Sequence, residues 1–127
     1  MEALYLDTHA VIWLRQKELE KFTAQGLDAI EKAPLLLVSP MVVLELEFLK
    51  EIGRISDTPH NIMGELDAMI DLKVDDLPFH RIVKQSLALE WTRDPFDRLI
   101  VANAMAGNHP LLTKDEKILA HFQKAFF

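Results

Sequence analysis

Leu35-Leu36-Leu37-Val38-Ser39-Pro40-Met41-Val42-Val43-Leu44-Glu45-Leu46 is the stretch that decides the fold. Its opening run of four apolar residues is the pattern of a parallel strand covered on both faces. Ser39 then offers an N-cap, Pro40 suits the first helical position, and an apolar pattern runs to Ile52 before Gly53 supplies a stop. A strand feeding directly into a capped helix is half of a βαβ unit, and the remaining chain extends it in both directions.

Upstream, residues 3–6 read as a short apolar strand, 8–14 as helical turns and 23–32 as a modest helix. Downstream, helical spacing over 59–72 leads to a strand at 73–77, and 78–90 resume a helix. Asp94 and Pro95 open the clearest helix, ending at Gly107 with Pro110 three residues beyond. Residues 110–113 form a short strand and 114–122 a last helix. Strands alternating with helices imply a three-layer α/β/α arrangement around a short, mostly parallel sheet. No linker, repeat or low-complexity stretch interrupts the 127 residues, so a single domain over 1–127 is expected.

The absence of Cys excludes a disulfide scaffold, a thiolate metal cluster and a cysteine nucleophile, and makes the cytoplasm the natural compartment. The longest apolar runs, 33–38 and 41–44, are far short of a membrane span. The opening residues carry acid where an export signal would carry base. With 14 Lys+Arg against 20 Asp+Glu, the net charge of −6 argues against a broad basic surface for nucleic acid. That argument has one loophole: acids gathered in one pocket can be neutralised by divalent cations, leaving scattered Lys and Arg to meet phosphates.

The acids do gather. In an open parallel sheet, ligands bind outside the carboxyl ends of the strands. Asp7 follows the first strand and Asp115 the strand ending near Thr113, so both lie on that edge. Glu45 sits early in the helix after the second strand, with Met41, Val42, Phe48 and Leu49 as its helical neighbours, so it faces inward. Glu47 faces solvent. Asp94 and Asp97 occupy the opening turn of a helix that starts at the same edge. Inward carboxylates need a cation or hydrogen-bond donors, and no Lys or Arg stands at helical spacing from Glu45. Hard oxygen donors without Cys or clustered His match Mg²⁺ or Mn²⁺ rather than Zn²⁺. The five His residues are read as surface or packing residues. No phosphate-binding or dinucleotide-binding glycine loop is present.

Tyr5-Leu6-Asp7-Thr8-His9-Ala10 resembles the opening motif of PIN-domain ribonucleases, and the Ser39 to Leu46 stretch resembles their second. Arg93-Asp94-Pro95-Phe96-Asp97-Arg98-Leu99-Ile100 is similar to the third motif of VapC-like toxins, and Leu112-Thr113-Lys114-Asp115 to the fourth. The resemblance implies a PIN-like fold and a metal site of Asp7, Glu45, Asp97 and Asp115. It further implies a Mg²⁺- or Mn²⁺-dependent endoribonuclease acting on RNA, neutralised by a VapB-like antitoxin and commonly a homodimer. A catalytically inactive PIN-like module that binds a protein partner is the alternative.

Three departures stand out: Thr92 where many relatives have His, Val42 for a frequent Ser, and an end at Phe126-Phe127 without the final strand many relatives show. Asp94 before Pro95 reads as a helix cap, and Thr113 with Glu116 as a capping box. Arg93 and Arg98 are candidates for phosphate or for Asp partners. Trp91 is read as a core or interface residue, and Asp28, Asp67, Asp71, Asp75 and Asp76 as solvated surface.

Overall fold

The computed structural model describes residues 3–127, so Met1 and Glu2 of the expected domain lie outside the described residues. Five parallel strands stand in the order β3-β2-β1-β4-β5: β1 (Leu4–Leu6), β2 (Leu36–Val38), β3 (Leu72–Val74), β4 (Leu111–Leu112) and β5 (Ala125–Phe126). Every residue of β1, β2 and β4 is buried, as a sheet covered on both faces requires. The helices are α1 (Thr8–Arg15), α2 (Ala24–Lys32), α3 (Pro40–Glu51), α4 (Pro59–Ile70), α5 (Phe79–Ser86), α6 (Pro95–Gly107) and α7 (Glu116–His121).

The expected elements are present, with boundaries shifted by a few residues and one short 3₁₀ turn at Leu19–Lys21 added. The expected absence of a last strand is overturned. Residues Ala125 and Phe126 pair with Leu111 and Leu112, and the Thr113 N–H donates to the Phe126 carbonyl at 2.9 Å. Two residues are too few to show a period, so only pairing with β4 reveals this strand.

Asn108, in the left-handed region at φ 57°, ends α6, while Gly107 is its last helical residue. Gly107 is there for closeness: a Cβ would run into the ring and hydroxyl of Tyr5. That ring cannot swing aside. Tyr5 is 2% exposed, and its hydroxyl donates to Asp75 Oδ2 at 2.5 Å. The same oxygen accepts from Asn103 Nδ2 at 2.7 Å. Asp75 therefore ties β1, the turn after β3 and α6 together, and is not the solvated acid expected from sequence.

This packing predicts opposite signs for one substitution at two helical glycines. Gly→Ala inside a helix is ordinarily worth roughly 0.5–1 kcal/mol of stability, and Gly64 of α4 has nothing within 4 Å of a new Cβ. Gly64→Ala should therefore stabilise by about that amount. Gly107→Ala should instead destabilise by roughly 1–3 kcal/mol, the usual range for overpacking. Urea unfolding of the two variants beside the parent checks both signs.

Candidate active site

Strand order reverses between β1 and β4, and the crevice outside their carboxyl ends is where ligands bind in open α/β sheets. A cleft of about 370 Å³ opens there, lined by Asp7, Glu45, Asp94, Asp97 and Asp115 together with Thr8, His9, Trp13 and Lys114. The four acids expected at the site are thus brought together, and Asp94 joins them.

Each acid arrives by a local rule. Asp7 is the N-cap of α1, its Oδ1 accepting the Ala10 N–H at 2.9 Å. Asp94 is the N-cap of α6, accepting the N–H groups of Phe96 and Asp97. Asp115 is the N-cap of α7, accepting the Ile118 N–H at 2.9 Å. In a parallel sheet the helix after a strand begins at the strand's carboxyl end, so caps and cleft coincide. Asp97 belongs to the first turn of α6. Glu45 is half-buried on α3, although its neighbour Phe48 is exposed, as is Leu44. Glu47, expected in solvent, is half-buried as well.

Two hydroxyls orient these carboxylates: Thr8, which the sequence reading does not single out, and Thr113, which it assigns to a helix cap. Thr8 is 2% exposed and donates to Glu45 Oε1 at 2.5 Å. Thr113 is fully buried, donates to Asp7 Oδ2 at 2.5 Å and accepts the Asp115 N–H at 3.1 Å. Thr113 is therefore a bridge between two acids and not the cap of α7, which is Asp115. The signal was available in that Thr8 adjoins Asp7 and Thr113 lies two residues before Asp115.

Burial pushes the Asp7 carboxyl above the usual carboxylate range, against the hydrogen bonds from Thr113 and Ala10 that favour its charged form. Burial also raises Glu45, opposed by the Thr8 hydroxyl and reinforced by the charge of Asp94. Asp97 is pushed up to about 7, first by burial and then by Asp94, Asp115, Glu45 and Asp7. None of the five acids has an ion pair among the described residues, where the salt bridges lie elsewhere.

The cations expected near the acids divide. Arg98 serves the end of α5, donating to the carbonyls of Ser86, Leu87 and Thr92, and pairs with no Asp among the described residues. Arg93 is exposed. Of the five His residues, four are exposed, and His9 among them lines the cleft. Trp91 is half-buried and stacked on His121 at 4.8 Å.

Among the described residues no group of three His, Asp or Glu side chains closes into a ready-made metal cage. The acids ring the cleft instead. Their chemistry nonetheless fits a hard divalent cation: every donor is oxygen, and a positive charge would offset both the burial and the repulsion that raise Asp97.

The PIN domain family profile matches residues 4–124. Over 123 residues, 95% of this chain and 93% of the relative, the chain is 28% identical to ribonuclease VapC22 of Mycobacterium tuberculosis (strain ATCC 25618 / H37Rv). Two solved structures share the fold. One is from the crystal structure of VapBC2 of Rickettsia felis bound to a DNA fragment from their promoter, with a TM-score of 0.64 and 18% identity over 93% of this chain and 92% of that one. The other, from a toxin–antitoxin complex of Klebsiella pneumoniae, has a TM-score of 0.65 and 21% identity over 99% and 97% of the two chains.

The raised Asp97 carboxyl binds its proton more tightly in the folded protein than in the unfolded chain, where an Asp titrates near 3.9. Its stabilising contribution is complete below that pH and lost as pH rises through about 7. In EDTA, the Tm of the parent should therefore fall from pH 4 to pH 7 more steeply than that of Asp97→Asn. At pH 8 the variant should melt higher. Calorimetric scans across the range decide it, and parallel curves would show that the Asp97 carboxyl is not raised by the fold.

Proposed function

The chain belongs to the PIN domain family, and on that premise we propose that it is a metal-dependent endoribonuclease of the toxin kind, neutralised by a VapB-like antitoxin and working in the cytoplasm as one domain over residues 1–127. The observation that carries the enzyme is the cleft where Asp7, Glu45, Asp94, Asp97 and Asp115 meet without an ion pair among the described residues. A cluster built for stability alone would be expected to carry Arg or Lys partners.

Asp7, Glu45, Asp97 and Asp115 are the residues that would hold the metal. Mg²⁺ or Mn²⁺ there would supply Lewis acidity to a phosphodiester and to an attacking water. Thr113 holds the Asp7 carboxylate at one oxygen while the Ala10 N–H holds the other, which fixes the orientation of that group. Thr8 does the same for one oxygen of Glu45. Such outer partners set ligand orientation and are typically worth about 10–100-fold in metal affinity or activity.

RNA as substrate is supported by the ribonuclease named among the relatives, and an antitoxin by the toxin–antitoxin complexes among the structural neighbours. Unpaired acids in the cleft suit a basic side chain delivered by such a partner. A homodimer is supported by α3 and its C-cap, where Leu44, Phe48 and Ile52 are exposed about one turn apart. Sedimentation of the free chain tests the dimer: Leu44→Asp should leave a monomer under conditions where the parent sediments as a dimer.

The enzyme is tested on purified protein with single-stranded RNA. Cleavage should require Mg²⁺ or Mn²⁺ and stop in EDTA. Asp97→Asn should lose at least about 100-fold, beyond the range for an outer partner, with unchanged far-UV circular dichroism. Asp94→Ala should lose its cap at roughly 0.5–2 kcal/mol of stability while keeping most of its activity. Metal-independent cleavage, or none by the parent, would favour the interaction module.

A further inference from the structure

The acidic cleft has one wall of a different character. Trp13 lines it from α1, and its indole is braced edge-on by Phe22 at 5.5 Å and by Phe127 at 5.9 Å. Despite that bracing, Trp13 is only half-buried, so a rigid aromatic surface remains beside the acids. Two ammonium groups, of Lys21 and Lys114, lie over the ring, each 5.8 Å from its centre, so a base that stacks there displaces a side-chain end and not a packed ring.

The two lysines differ. Lys21 is tied to Glu18 at 2.6 Å. Lys114 is exposed, lines the cleft and forms no ion pair among the described residues. It lies beside Asp115 in sequence and 5.9 Å from the Phe127 ring. Arg98 is committed to backbone carbonyls, so Lys114 is the Lys or Arg that lines the cleft.

We propose that Trp13 and Lys114 form a nucleotide shelf, Trp13 stacking on an unpaired base next to the scissile bond and Lys114 meeting that nucleotide's phosphate. The proposal rests on the nuclease reading of the same cleft. A chain of net charge −6 draws little affinity for RNA from long-range attraction. Stacking is available in its place, because it does not depend on net charge and accepts any base. Trp91 cannot serve, since it does not line the cleft. Single-stranded RNA is the class of substrate such a shelf selects, because a paired base keeps its faces inside the helix.

The test uses the full chain with Trp91→Phe, so that fluorescence reports Trp13 alone, and with Asp97→Asn, so that RNA survives the titration. A short oligouridylate should quench the emission, and an abasic ribose-phosphate oligomer of equal length should not. In the catalytically intact chain, Trp13→Leu should raise KM for single-stranded RNA about 10-fold, with a smaller fall in kcat. Trp13→Phe, which preserves an aromatic ring against Phe22 and Phe127, should fall between. Lys114→Gln should reduce the slope of log affinity against log salt by about 0.7, the value for one single-strand phosphate contact, and leave the quench in place. Equal quenching by both oligomers, or RNA cleavage whose KM ignores Trp13→Leu and Trp13→Phe, overturns the shelf and leaves the nuclease standing. Quenching by oligouridylate alone, with no cleavage by the parent in Mg²⁺ or Mn²⁺, upholds the shelf and removes the nuclease.

Discussion

Five carboxylates share one cleft because three of them are helix caps. A helix start carries unpaired N–H groups and roughly half a positive charge, so it is a place where a carboxylate is welcome. The parallel strand–helix path brings the starts of α1, α3, α6 and α7 to one edge of the sheet, and Asp7, Asp94 and Asp115 occupy three of those starts. Most of the acid cluster is therefore also secondary-structure chemistry. The backbone partly offsets the repulsion of assembling it.

What the caps do not offset falls on Asp97. It lies in the first turn of α6 but accepts no cap bond of its own, and it meets the field of the four other acids. Glu45, from a different helix, has one hydroxyl for relief. The uncompensated charge is thus concentrated at the residue reaching the cleft from the chain's longest helix. That helix is anchored at its other end by Tyr5, Asp75 and Asn103, so the charge is borne by a rigid element.

Much of this is legible in the amino-acid sequence. Ser39-Pro40 and Asp94-Pro95 mark helix starts by simple chemistry, and the alternation of strands and helices then dictates which edge collects Asp7, Glu45, Asp97 and Asp115. What sequence hid was non-local. The dual place of Asp94 as cap and cleft acid, the bridging role of Thr113 and the bonds of Asp75 to Tyr5 and Asn103 depend on residues far apart in the chain. Strand β5 was invisible because two residues carry no periodicity. Arg98 was ambiguous because a guanidinium beside acids in sequence can turn to carbonyls in space.

The contact between Tyr5 and Asp75 has an optical consequence. The chain has a single tyrosine. Burial, followed by the bond and charge of Asp75, raises its hydroxyl well above the usual value near 10. Its contribution to stability is full below that value and drains away as alkalinity passes the folded value. Above about pH 10, where a free tyrosine ionises, phenolate absorbance is therefore silent while the fold is intact and appears when the sheet lets go. The molecule carries its own colourless-to-absorbing gauge of integrity, placed between the first strand and the helix that presents Asp97.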